Sequence, residues 1–261
     1  MNLTSREMVL LTVLADMYGA PLDLVAQMLG VSESRAYRIV RKLRKAKVVS
    51  ELGTRPVPGP SWITPTRSTA DALLGRSTKY WLPSPKMANH TRTVLEVRLA
   101  LVGMDLERWI SERQLRSEIA PAALGETRPH IHDGRYINAA GELIAVEVEL
   151  TDKNLKAAKT AVAQAFQAAR AADCAGLIYY YRGDRVKTVI TKAATELKAA
   201  GLFENTPIRM RLADLDTELL KPRKPASPDL RPGLRVIAGG AADHEITQVT
   251  DQNEHGEAVS S

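Results

Sequence analysis

The chain has 261 residues, of which 44% are hydrophobic, 25% charged and 5% aromatic, proportions that exclude a fibrous or wholly disordered protein and predict two domains. Its formal charge of +6 is uneven: residues 1–85 hold 12 of the 36 Lys and Arg but only 6 of the 30 Asp and Glu, leaving 24 of each for the remainder, so the basic excess points to a polyanionic partner for the first third. No run of about 18 uncharged apolar residues exists and no secretory leader pattern opens the chain, so neither a membrane-spanning helix nor export is expected. Cys174 is alone, which rules out an internal disulfide or a cysteine-based zinc site and fits a cytoplasmic protein.

In chain order, Thr4 or Ser5 caps a first helix to about Met17, with Met8, Leu11, Val13, Leu14 and Met17 at helical spacing. Pro21 opens a second helix, Leu22–Leu29, which Gly30 ends, and Ser32 caps a third that runs to about Arg44. Val48–Leu52 and Ser61–Thr64 read as strands around a Gly- and Pro-rich loop, followed by a short helix from Thr66 to Leu74 and a linker over Pro83–Asn89. A long helix is predicted over Thr91–Ile110. Strands follow at His130–Ile137, Leu143–Leu150, Leu177–Arg182 and Val186–Thr191, with Gly141 and the Arg182-Gly183-Asp184-Arg185 turn closing two hairpins. Helices over Asp152–Ala172 and Lys192–Ala200 and a last strand over Ile208–Leu212 complete a mixed α/β unit. Pro222, Pro225, Pro228 and Pro232 then introduce a polar end. The expected class is α+β, with an N-terminal domain over residues 1–82, a second over 90–216 and a flexible tail over 217–261.

The second helix, the Gly30-Val31-Ser32 turn and the third helix have the lengths and turn chemistry of a helix-turn-helix. Ala36, Ile39, Val40 and Leu43 form the inner face of the third helix. Ser34, Arg35, Arg38, Arg41, Lys42 and Lys45 form the outer one. A helix of this kind fits a major groove, where Arg donates two bonds to the O6/N7 edge of guanine and more distal cations neutralise phosphates. Ser34, Arg35 and Arg38 are therefore the expected base readers, and Arg41, Lys42 and Lys45 the phosphate contacts. The strand–loop–strand that follows resembles the wing of a winged helix, with Arg55 at its tip. A solvated basic helix in a three-helix bundle explains the charge run alone; turn, apolar seam and wing together favour double-stranded DNA, with no cofactor needed for binding.

A second informative stretch is His130-Ile131-His132-Asp133-Gly134 with Ala145-Val146-Glu147-Val148-Glu149-Leu150. Strand alternation sets Glu147 and Glu149 opposite Val146, Val148 and Leu150. Pairing of the two strands brings Asp133 beside them, and Glu112 is expected to approach from the end of the preceding helix. Converging carboxylates repel by on the order of a few kcal/mol per close pair at an effective dielectric of about 20. A bound cation relieves this, and Mg²⁺ held by Asp133 and Glu147 suits carboxylate and phosphate oxygens. His130 and His132, alternating onto one face, offer a less favoured metal set with Asp133. A half-buried strand with a polar outer face explains Glu147 and Glu149 without any metal, and Tyr179-Tyr180-Tyr181 reads as strand packing.

These residues resemble the PD-(D/E)xK nuclease core, in which an Asp and a later Glu hold Mg²⁺ near the scissile phosphate. The pattern departs at His132, which stands where the Pro would be, and at Glu149, which replaces the catalytic Lys. Lys153 is the expected substitute, with Lys156 and Gln164 on the same face of the next helix. The resemblance leaves two outcomes open, a Mg²⁺-dependent nuclease using Glu112, Asp133, Glu147, Glu149 and Lys153, or a nuclease-like fold that has lost cleavage.

Across residues 5–200 the whole arrangement resembles the replication-relaxation family of actinobacterial plasmids, integrative elements and phages. The likeness rests on Asn89-His90 opening a helix, Trp109-Ile110-Ser111-Glu112, Asp133-Gly134, Ala145-Val146-Glu147-Val148-Glu149-Leu150-Thr151-Asp152-Lys153 and Ile178-Tyr179-Tyr180-Tyr181. It implies a site-specific double-stranded DNA-binding protein of a mobile element acting in replication or relaxation. The alternatives are a repressor with an inert, dimerising nuclease-like domain, and a Mg²⁺-dependent nickase. A homodimer is compatible with each.

Overall fold

Helix α1 (Ser5–Asp16) starts where Thr4 and Glu7 cap one another: the Glu7 amide donates to Thr4 Oγ1 at 3.2 Å, and the Glu7 carboxylate accepts from the Thr4 amide at 2.8 Å. The structure, a computed structural model, describes residues 2–79, 81–119 and 129–220. Strand β1 (Ala20–Pro21) leads into α2 (Leu22–Leu29), which ends on Gly30 in the left-handed conformation at φ 55°. Ser32 caps α3 (Glu33–Lys45) by accepting from the Arg35 amide. The expected strand over Val48–Leu52 does not form. Its place is taken by isolated pairings, Val49 with Pro65 and Thr54 with Trp62, while β2 (Trp62–Ile63) pairs with β1 instead. Pro56, Pro58 and Pro60 lack the amide donors that a longer ladder needs.

Helix α4 (Arg67–Leu74) follows its Thr66 cap as expected. The predicted linker does not exist as such: Ser84 and Pro85 start α5 (Pro85–Leu101), which therefore begins before Thr91 and stops well before Ile110. Gly103, at φ 62°, turns the chain, and Trp109–Ser111 is strand β3 ahead of α6 (Glu112–Glu118). Strand β4 (Gly134–Ile137) begins only after His130 and His132, and β5 (Leu143–Glu149) returns antiparallel to it. Helix α7 (Leu155–Ala171) then crosses to β6 (Gly176–Tyr181).

The second expected hairpin is replaced by a crossover. Asp184–Ala199 is helix α8, and β7 (Arg209–Asp214) pairs parallel to β6. Val186, Ile190 and Ala193 are buried at helical spacing, so the run at Val186–Thr191 folds as a helix whose inner face carries Val186 and Ile190. Helix α9 (Leu215–Leu219) occupies the start of the expected tail and buries Leu215; the rest of the tail, from residue 221, lies outside the described residues.

The resulting five-stranded sheet has the order β3-β4-β5-β6-β7, with β4 antiparallel to both neighbours and β5, β6 and β7 parallel. Helices α7 and α8 cover one face over Ala145, Leu177 and Tyr179. The other face meets α5 and the N-terminal helices in one continuous apolar cluster that runs from Leu10, Leu14 and Val25 through Leu95 to Val146 and Tyr180. The two cores expected for two separate domains are thus fused on this side.

Polar contacts reinforce the junction. Arg98, fully buried on α5, donates to Asp16 at 3.0 Å, and Ser111 donates to the other Asp16 oxygen at 2.5 Å. Arg92 holds both oxygens of Asp23 at 2.6 and 3.1 Å, and Arg113 donates to the Ala15 carbonyl at 2.6 Å. No helix of the described residues is long and apolar enough to cross a membrane.

Candidate functional site

Two surfaces carry the chemistry expected of this chain. On the first, α3 buries Ala36, Val40 and Leu43 and leaves Ser34, Arg35, Arg38, Arg41 and Lys45 exposed. Among the described residues these four cations have no ion-pair partner, so the guanidinium and ammonium groups face solvent. Lys42 behaves differently from the expectation of a phosphate contact. Its ammonium lies 2.7 Å from the Glu7 carboxylate, tying α3 to the cap of α1. Burial raises the Glu7 pKa, but the Lys42 contact and the Thr4 hydrogen bonds outweigh it and hold the group below the usual carboxylate value. Arg55 is exposed in the loop between α3 and β2. Tyr37, 52% exposed on the same helix, is an aromatic group on this face that the charge pattern did not reveal.

The second surface lies at the ends of β4 and β5. Glu147 and Glu149 do project from the face of β5 opposite Val146 and Val148, as alternation requires. Gly134 is obligatory beside them because a Cβ there would sit 2.3 Å from Trp109 Cζ2. This close packing fixes Asp133, whose Oδ2 accepts from the Val148 amide at 2.7 Å and whose Oδ1 lies 2.9 Å from His90 Nε2. A second imidazole–carboxylate pair, His130 Nε2 to Glu147 Oε1 at 2.7 Å, stands alongside.

The two pairs feel one another. Burial opposes protonation of His90 and His130, but Asp133 and Glu147 outweigh it and hold both pKa values above the ordinary histidine range. Burial, with the Asp133 charge added, pushes Glu147 above the usual carboxylate range. Asp133 and Glu147 each meet an imidazole, and the partner of Asp133 is His90, a residue distant in sequence whose place near the start of a helix does not announce the contact.

The remaining expected residues are placed differently. Glu112 is the first residue of α6, not the end of a preceding helix, and its carboxylate is engaged by Arg116. Glu149 is engaged by Lys153 and by the Thr151 hydroxyl at 3.0 Å, so the lysine expected to substitute for the missing one is neutralised beside the cluster. His132 is fully buried. Its Nε2 donates to the Ala165 carbonyl at 3.0 Å and its Nδ1 accepts from Arg135 at 3.3 Å, which uses both nitrogens, while the ring stands in one group with His130 and Glu147 whose potential ligand atoms lie within 4.8 Å of one another. Burial first, then the Arg135 charge, push its pKa down to about 4, so the ring is neutral.

The Tyr179 ring does pack in the core beneath α7 and α8, yet its buried hydroxyl finds no hydrogen-bond partner among the described residues. Burial, reinforced by Glu147, Glu149 and Asp133, raises its pKa far above the usual phenol value.

Compared with known protein families, with curated proteins and with solved structures, the chain matches none.

Proposed function

We propose that the protein is a site-specific double-stranded DNA-binding protein of a mobile element, in which residues 1–82 act as a winged helix-turn-helix and the sheet that follows is a restriction-endonuclease-like domain. The observation that carries this reading is the outer face of α3, where Arg35, Arg38, Arg41 and Lys45 stand exposed without an acidic partner among the described residues, on a helix held by its buried seam. Free guanidinium groups near the start of a recognition helix suit guanine edges, and those further along suit phosphates. The residue-level resemblance to replication-relaxation proteins supports a role in plasmid-type replication or relaxation.

Selection of bound duplexes from a random pool, followed by titration of the full chain, tests the reading. It predicts one preferred sequence and, for about five phosphate contacts, a slope of log K against log salt of about −4.5. Absence of any duplex binding at low ionic strength refutes it. Footprints over a replication origin support the replication role, whereas footprints confined to promoters favour a repressor.

A second reading, a Mg²⁺-dependent nickase, is favoured by one observation, the convergence of Asp133 and Glu147 at the ends of β4 and β5. The order of the sheet, with only its second strand antiparallel, is compatible with a nuclease-like core. Bound there, a cation would neutralise charge on a scissile phosphate. Nicked circles from supercoiled target plasmid, lost in Asp133→Ala and Glu147→Ala, would support this reading, and intact plasmid would reject it.

A further inference from the structure

We propose that the sheet carries a nucleotide-binding cavity at the start of β6 and β7, towards the opposite end of the strands from Asp133 and Glu147. Neither the DNA reading nor the nuclease reading uses this cavity, and both stand or fall without it.

Strand register builds the hollow. On the face of the sheet that meets α5, Ile144, Gly176 and Arg209 lie side by side on β5, β6 and β7, and Val146, Ile178 and Arg211 form the next row. The third row, Val148, Tyr180 and Ala213, belongs to the apolar cluster that includes Leu95 of α5 and Leu215 of α9. Gly176 places no side chain between Ile144 and Arg209; a Cβ there would stand 3.3 Å from Ile144 Cδ1 and 3.2 Å from the Arg209 carbonyl. The first row is therefore sunk at its centre. A cavity of about 680 Å³ opens over it, within the roughly 300–1,000 Å³ of small-molecule sites.

Three kinds of group line this space. The floor is apolar, with Ile144 and Ile178 on the sheet and Pro207 and Ile208 just before β7, and it offers flat contact to a base. One wall is cationic. Arg209 and Arg211 alternate on β7, about 6.6 Å apart along the strand, and Arg170 joins them from the last turn of α7. The guanidinium groups of Arg170 and Arg209 have no partner among the described residues, and Arg211 keeps a loose, exposed contact with Glu218 at 3.7 Å that a phosphate can replace. A guanidinium fork matches the paired oxygens of a phosphate, and two forks at this spacing can share a diphosphate.

The acidic groups of the cavity divide in two. Glu142 is held by the Asn138 side-chain amide at 2.7 Å, whereas the Asp173 carboxylate accepts no hydrogen bond from the described residues and is left to accept from sugar hydroxyls. Apolar floor, guanidinium wall and one free carboxylate match the base, phosphates and ribose of a nucleotide. A bare anion would use the wall alone.

Methyl NMR of the isoleucine side chains in the full chain, titrated in turn with the diphosphates of adenosine, guanosine, cytidine and uridine without metal, locates the binding with no substitution. The expected result is saturable movement of the Ile144, Ile178 and Ile208 signals by at least one of them, at one equivalent and a Kd below about 1 mM, with Ile39 on α3 unmoved. Arg209→Gln and Arg211→Gln should each weaken that binding about tenfold and Arg38→Gln should not, all with unchanged melting curves. Cavity signals that stay in place in every titration overturn the proposal. So does movement confined to Ile39, which would put the nucleotide on the cationic face of α3. Inorganic pyrophosphate that binds as tightly as the nucleotide overturns it too, because the wall would then be an anion patch with no use for its floor. Folded Arg209→Gln and Arg211→Gln proteins that bind like the parent do the same.

Discussion

Arg35, Arg38, Arg41 and Lys45 owe their arrangement to a single helix, whereas the pairs His90–Asp133 and His130–Glu147 form only because α5, the approach to β4 and β5 are packed together. The first surface is local, exposed and cationic. The second is assembled, half-buried and internally neutralised, with each carboxylate held by an imidazole. A local surface tolerates loss of distant structure as long as its helix stays seated, while an assembled one fails when any supporting segment moves. The difference predicts opposite sensitivities: substitutions on α3 should change binding and leave stability alone, and substitutions around the cluster or the junction should change both.

The largest expected effect lies at the junction. Arg98 is fully buried against Asp16, and burial pushes its pKa down despite that partner. Arg98→Ala leaves the Asp16 carboxylate without its main partner and should cost about 3–5 kcal/mol in urea unfolding. Because the apolar cluster runs through this point, one cooperative transition is expected for both regions; two separate transitions in the unsubstituted protein would contradict the fused core. Next is Gly134→Ala. The added Cβ collides with the Trp109 ring, which cannot swing out of the core, so about 1–3 kcal/mol of stability should be lost together with the geometry of Asp133. A variant as stable as the parent would show that Trp109 yields.

On α3 the comparison is sharpened by contrast. Arg38→Ala should weaken specific duplex binding by about 1–3 kcal/mol with no change in the urea midpoint, and an unchanged footprint and affinity would remove Arg38 from base readout. Lys45→Ala should reduce the salt slope by about 0.9, the share of one phosphate contact. Lys42→Ala should reduce it less, because Glu7 already neutralises Lys42. Equal reductions would mean that Lys42 leaves Glu7 when DNA arrives.

The same contrast explains what could be read from the chain. The outward face of α3, its Ser32 cap and the Gly30 stop follow from residues adjacent in sequence, and the alternation of Glu147 and Glu149 follows from strand geometry. The run Val186–Thr191 misled because β-branched residues at helical spacing satisfy both periods, and the choice is made by packing on α7 and β6. His90 stayed hidden because its partner is 43 residues away and no local pattern joins them. Strand alternation groups His132 with His130; although β4 begins only at Gly134, the two rings do stay together, edge-on at 5.5 Å, and what the pattern does not show is that His132 spends both nitrogens on Ala165 and Arg135.

The smallest effect tests the link between α1 and α3. The Glu7 pKa is lowered in the folded protein from its ordinary 4.5, so its contribution is complete above that value and is lost as pH falls through the folded pKa. Glu7→Gln should cost about 0.5–1 kcal/mol at neutral pH, a modest figure because the Lys42 side chain is 41% exposed and solvent screens the pair. The gap between parent and variant should then narrow as pH drops below 4.5, since protonation removes in the parent what the substitution removes at every pH. Urea unfolding of both proteins from pH 7 to pH 3 measures the gap directly. A difference that stays constant across that range would assign the loss to packing of the Glu7 side chain and not to its charge, and the cationic helix would then be seated by its apolar seam alone.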